Sequence, residues 1–156
     1  MEQERIQKLL SERGYCSRRK AEALLSQGKI KVNGVVVTEL GFKCSREDEI
    51  EVDGVKVNNN RNKEPVYLRM NKPYDVVCTA SDPDGRRTIM DFVPKKYGRV
   101  FSIGRLDHNS TGLILLTNDG EFANLRTHPS SAPEKEYLVQ CKKPYQGNEI
   151  EKMANG

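Results

Sequence analysis

The sequence predicts an α+β protein in two parts, a small N-terminal domain and a larger one built on a mainly antiparallel sheet. Three observations lead there. Helical apolar spacing near the N-terminus gives way to two tight-turn pairs, Asn33-Gly34 and Asp53-Gly54, each set between alternating apolar runs. Residues 58–65 are polar and aperiodic and end in Pro65, which reads as a linker. Beyond it, short alternating runs recur between turn-rich stretches, the pattern of a sheet with helices added. The expected boundaries are 1–58 for the first domain, 59–65 for the linker and 66–156 for the second.

Each element has its own justification. Ile6, Leu9 and Leu10 fall at helical spacing over residues 4–13, and Gly14 suits a left-handed cap. Ser17 is a good N-cap for a second helix, with Ala21, Leu24 and Leu25 as its buried stripe and Gly28 as its stop. Residues 29–32 and 35–38 flank Asn33-Gly34, and 49–52 and 55–57 flank Asp53-Gly54. Both are hairpins, because a type I′ turn needs two positive φ angles in succession. Residues 66–70 alternate as a strand that Asn71-Lys72-Pro73 terminates, and 76–79 read as a short strand. Residues 81–87 form a turn-rich loop ending in Arg86 and Arg87, and 89–93 a short helix closed by Pro94. Residues 99–103 alternate as a strand ending at Gly104. The apolar run 113–116, between Gly112 and Asn118-Asp119-Gly120, reads as a strand covered on both faces. A helix over 121–127 with Phe122 and Leu125 inward, a strand over 136–141 and the start of a helix at 149 complete the chain.

Bulk properties narrow the function. With 156 residues there is room for one ordinary domain or two small ones. Charged residues are 31%, and no stretch is apolar enough for a membrane-spanning helix. The N-terminus lacks the apolar core of a signal peptide, so the cytoplasm is the expected location. Cys16, Cys44, Cys78 and Cys141 form no CxxC pair and His108 and His128 are the only histidines, so no metal site is expected. The cysteines are expected as reduced packing residues. No P-loop or GxGxxG occurs, so no nucleotide or redox cofactor is expected.

Charge is unevenly spread. Residues 5–31 carry eight Lys/Arg against Glu12 and Glu22, while 32–64 carry five basic residues against seven acidic. Arg18, Arg19 and Lys20 occupy the first turn of the second helix, where the macrodipole disfavours cations by roughly 0.3 kcal/mol or more each. The same turn exposes backbone amides, so an anion there would meet amides and side chains together. An isolated triple could be a solvated face; with Arg5 and Lys8 expected on the neighbouring helix, a polyanion is favoured. Helix, serine-capped basic helix and Asn33-Gly34 hairpin together resemble the S-four type RNA-binding domain over residues 3–57. The resemblance implies docking on folded RNA through shape and phosphate contacts, with salt-sensitive affinity.

Asp107 lies in a loop between two expected strands, beside Arg105. On the local pattern alone it reads equally as a turn residue. The whole stretch 104–120, with Lys135-Glu136-Tyr137 downstream, resembles the signature of the pseudouridine synthases that modify ribosomal RNA. That resemblance implies an α+β catalytic domain, Asp107 as the catalytic carboxylate, and Tyr137 stacked on the target uracil. It implies ribosomal RNA as partner, the large-subunit RNA being favoured, and a nucleotide flipped out of its stack. Lys135 joins the RNA-binding candidates through the same motif. Lys72-Pro73 resembles a further motif lining the active-site region, and Lys72 is not expected to be catalytic. The reaction moves no atoms in or out of the nucleotide and calls for no cofactor. One carboxylate suffices, as nucleophile or as base, and both roles stay open. Arg105 could hold phosphate, fill the vacated stack, or pair with Asp107 and keep it ionised. Members of the family ordinarily continue past the lysine-x-tyrosine motif into a basic segment whose cation meets the aspartate and whose strands complete the sheet. This sequence stops at Gly156 without it, so a fragment is expected, inactive alone and with apolar surface exposed around 113–116. The rival reading is a non-catalytic RNA-binding protein. Oligomeric state is not legible.

Overall fold

A computed structural model of the chain describes residues 3–59, 64–131, 134–144 and 147–155. The N-terminal part runs β1 (Gln3–Arg5), α1 (Ile6–Glu12), α2 (Arg18–Ser26), β2 (Ile30–Val32), β3 (Val35–Val37), β4 (Lys43–Ser45), β5 (Ile50–Val52) and β6 (Val55–Lys56). Four strands form an antiparallel sheet in the order β3-β2-β5-β6, and β1 pairs with β4. Ile30 opposes Val37 on one side and Val52 on the other, which puts three apolar side chains on one face. Ile6, Leu9 and Leu10 of α1 and Ala21, Leu24 and Leu25 of α2 close over that face in one core. Fully buried aliphatic side chains of this kind contribute about 1.5–3 kcal/mol each.

Local chemistry sets the corners. Asn33 and Gly34 have φ of 50° and 82°, Asp53 and Gly54 50° and 77°, as the two hairpins require. The Asn33 side chain adds a cross-tie, donating to Asp48 Oδ1 at 2.9 Å and accepting from the Glu49 amide at 3.0 Å. Ser17 caps α2 by accepting from the Lys20 amide at 3.2 Å. The expected helix over 4–13 starts late, because residues 3–5 are extended and bonded to β4. Arg5 therefore sits on a strand opposite Lys43, not on the helix.

The C-terminal part runs β7 (Tyr67–Lys72), 3-10 turns at Ile89–Phe92 and Lys95–Tyr97, β8 (Phe101–Ile103), β9 (Gly112–Thr117), α3 (Gly120–Thr127) and α4 (Gly147–Asn155). Its sheet is antiparallel in the order β7-β9-β8, with β9 central. Val76, Cys78, Ile89, Val100, Ile114 and Leu116 form a second core. Asn118 ties the start of this part down, accepting from the Val66 amide at 2.9 Å and donating to the Glu64 carbonyl at 3.1 Å. The expected linker falls largely on residues 60–63, which lie outside the described residues.

Several expectations are corrected. Residues 76–79 form no strand: Val77 makes one parallel bridge to Thr88, too little for a ladder. The short helix over 89–93 is a 3-10 turn, in which the Asp91 carboxylate accepts from the Thr88 amide at 2.7 Å and Thr88 Oγ1 from the Met90 amide. The run 113–116 is covered on one face, where Ile114 and Leu116 are buried, while Leu113 is 70% exposed, so the second covered face is not formed and the apolar surface expected around this run is open. Leu125 of α3 is exposed, whereas Phe122 packs edge-on against Tyr67 with ring centroids 5.0 Å apart. Residues 136–141 are not a strand, since none of the described strands pairs with them to take up their backbone hydrogen bonds. All four thiols are free, but only Cys16, Cys44 and Cys78 pack inside, and Cys141 is exposed. Among the described residues no helix is long and apolar enough to cross a membrane.

Candidate functional site

The loop joining β8 to β9 carries Asp107, and its shape is fixed from four directions. Gly104 at φ 74° and Gly112 at φ 132° turn the chain at its two ends, conformations that other residues resist. The Leu106 amide donates to Cys78 Sγ at 3.4 Å, and the Ser110 amide closes a turn on the Asp107 carbonyl at 3.0 Å. The His108 ring places Nε2 2.9 Å from Asp75 Oδ1. From below comes Lys72, whose Nζ donates to the carbonyls of Pro73 at 3.0 Å, His108 at 3.0 Å and Ser110 at 2.7 Å. Its side chain is fully buried. An ammonium has three N–H bonds, and these three carbonyls use all of them.

Asp107 itself is exposed, and among the described residues no ion pair joins it to Arg105. The pairing considered from sequence is thus not formed. Backbone is braced while the carboxylate stays open to solvent, an arrangement suited to a group that must meet an incoming ligand.

Arg105 and Leu106 line a cleft of about 750 Å³ together with Lys135 and Tyr137, over a floor that includes Leu113 and Phe122. The structure thus gathers three sequence-chosen residues beside the Asp107 loop. Tyr137 is 60% exposed where it lines this cleft.

The basic residues of the N-terminal part divide differently. Arg5, Lys8, Arg18 and Lys43 line one groove, and Arg18, Arg19 and Lys20 are exposed on the first turn of α2. Lys8, however, is engaged. It pairs with Glu4 and lies 3.6 Å from Glu12, while Arg46 reaches the same two acids at 2.6 and 2.8 Å. Burial opposes ionisation of Glu4, but the bonds from Lys8 and Arg46 outweigh it and hold its carboxyl below the usual range. Lys8 therefore serves this network rather than an open cationic face. Arg86 is likewise occupied, held by Asp82 through contacts of 2.7–3.1 Å that pull the Asp82 carboxyl down to about 2.

Sequence reasoning passed over Lys72, Asp75 and Cys78 as supports of the loop. For Lys72 a signal existed: it continues the alternation of Leu68 and Met70, which puts it on the inward face of β7.

Two helices over an antiparallel sheet, followed by a second antiparallel sheet with a braced aspartate loop, define the class as a two-part α+β protein. Comparison with known proteins makes it specific. The S4 domain model matches residues 4–50, and the RNA pseudouridylate synthase model matches residues 66–155. The chain belongs to the RNA pseudouridylate synthase family. It is 49% identical over 139 residues to the ribosomal large subunit pseudouridine synthase B of Bacillus subtilis, covering 89% of this chain and 56% of that protein. It is 44% identical over 154 residues to an uncharacterized RNA pseudouridine synthase of Aquifex aeolicus, covering 97% of this chain and 61% of the relative. A crystal structure of a pseudouridylate synthase shares 33% identity over 81% of this chain and 54% of its own, with a TM-score of 0.44. The chain spans about half the length of the curated relatives it matches.

Proposed function

We propose that this chain supplies the RNA-docking domain and the catalytic aspartate of an enzyme that isomerises a uridine of ribosomal RNA, in the large subunit, to pseudouridine. The observation that carries this is the exposed Asp107 carboxylate on a loop braced by Lys72, Cys78 and Asp75. Names of relatives from Bacillus subtilis and Pseudomonas aeruginosa support the large-subunit assignment. The N1–C1′ bond of the uridine breaks, the uracil turns, and C5 bonds to C1′; N1 regains a proton and C5 loses one. Asp107 acts at the sugar or on its proton, with Tyr137 stacked on the uracil and Arg105 and Lys135 holding the RNA. Arg5, Arg18, Arg19 and Lys20 dock the folded RNA through its phosphates. We place the protein in the cytoplasm with its ribosomal substrate.

Because C5 loses its hydrogen, tritium release from ribosomal RNA labelled at that carbon tests the proposal. Asp107→Asn is expected to abolish release, by a thousandfold or more in order of magnitude, and to leave RNA affinity intact. The assay uses this chain and a version extended at its C-terminus to the length of its relatives. No release from either, with RNA binding retained, would leave a non-catalytic RNA-binding protein.

A further inference from the structure

A second groove, of about 800 Å³, is lined by residues of both parts of the chain, Arg18 and Arg99 among them. Arg99 is half-buried, and its guanidinium donates to Ser11 Oγ at 3.2 Å. Among the described residues it has no carboxylate partner, and burial pulls its pKa below the ordinary value, opposed only in part by the nearby Cys16 thiol. A hydroxyl needs one neutral donor, which an amide would supply as well. The charge is what lacks a purpose. Arg18 reaches across from α2, its Nη2 lying 3.9 Å from where a Cβ on Gly120 would stand. Of the two acids lining the groove, Glu12 is matched by Lys8 and Arg46, which leaves Glu121 against two guanidinium groups.

We infer that this groove is a phosphate site, in which the RNA backbone passes between the docking domain and the sheet domain and is held by Arg18 and Arg99 together. A planar guanidinium fork fits phosphate oxygens, and two forks from separate domains would fix how the RNA lies across both. The inference rests on the RNA-modifying reading above and adds to it a residue, Arg99, that no motif or charge cluster singled out.

The test is binding of a fluorescein-labelled large-subunit ribosomal RNA stem-loop, followed by anisotropy across a range of KCl. Each phosphate neutralised contributes about 0.7–0.9 to the slope of log affinity against log salt. The Arg18→Gln/Arg99→Gln protein is expected to show a slope shallower by about one or more, with Arg99→Lys close to the parent. Ser11→Ala removes the hydrogen bond but keeps the charge and is expected to bind as the parent does. Arg87→Gln, a charge lost elsewhere, is expected to leave the slope unchanged. A parental slope and affinity in the double variant overturn the inference, as does a loss in Ser11→Ala or Arg87→Gln equal to that in Arg99→Gln. Asp107→Asn separates the two readings: tritium release that survives this change sinks the role of Asp107 and leaves the binding result standing.

Discussion

Lys72 connects the last residue of β7 to the loop that carries Asp107, and it does so with an ammonium wholly enclosed by protein. Lys72→Met would preserve most of the volume and leave three carbonyls without their donor. A cost on the order of 3 kcal/mol is expected, read as a lower urea midpoint, together with slower turnover and unchanged RNA affinity. An unshifted midpoint would mean that the loop holds its shape without the lysine. The thiols allow a sharper check. Burial pushes the Cys44 thiol up to about 11, so the folded state keeps a proton that the unfolded chain releases near its ordinary value of 9.0. A raised folded pKa contributes stability in full below the unfolded value and loses it as pH rises toward the folded one. The urea midpoint is therefore expected to fall between about pH 9 and pH 11, and Cys44→Ala to flatten that fall. The stretch that holds Arg105 and Asp107, with Tyr137 downstream, stands out in the sequence because a motif is local. Lys72 continues the inward face of β7, but two of its three partners, the carbonyls of His108 and Ser110, lie on the connection between β8 and β9, and nothing in residues 66–73 encodes them.

The Asp75–His108 pair belongs to the scale of elements, because it joins the turn after β7 to the loop after β8. Asp75 holds φ of 60°, a conformation Asn and Asp tolerate better than most residues. Asp75→Asn keeps that tolerance and a hydrogen-bond acceptor for His108; Asp75→Ala keeps neither. Turnover is expected to fall several-fold more in Asp75→Ala than in Asp75→Asn, with RNA affinity equal in both. Equal kcat in the two would show that the loop does not depend on this clasp. The pair is exposed, so its effect on global stability is expected to stay within about 1 kcal/mol. The same distinction between local and distant causes explains which elements could be read in advance. The hairpins at Asn33-Gly34 and Asp53-Gly54 were legible because turn chemistry sits inside the turn. Residues 136–141 alternate as a strand should, yet a strand exists only where a neighbour accepts its hydrogen bonds. Residues 3–5 failed in the opposite sense: they fit the phase of the helix that follows, while β4, forty residues on, draws them into a ladder.

The molecule as a whole has two cores that do not merge. One draws its buried residues from Ile6 to Val57, the other from Val76 to Leu116. Between them the Arg99–Ser11 hydrogen bond, with its charged donor, is the kind of contact worth about 1.5–3 kcal/mol, below the 5–15 kcal/mol typical of a domain. Two units coupled that weakly should unfold separately. Buried thiols report on each: Cys16 and Cys44 lie in the first core and Cys78 in the second. Pulsed thiol labelling along a urea gradient, read by mass spectrometry of the peptides, is expected to give two curves. Cys78 should become reactive first, because among the described residues its core holds six buried side chains against fourteen, and Leu113 on the central strand is open to water. RNA should then shift both curves to higher urea, and should draw them together if the groove holding Arg18 and Arg99 grips the backbone from both sides. Coincident curves in the absence of RNA would show that the interface between the cores contributes far more than its hydrogen bond, and that the two parts fold as one.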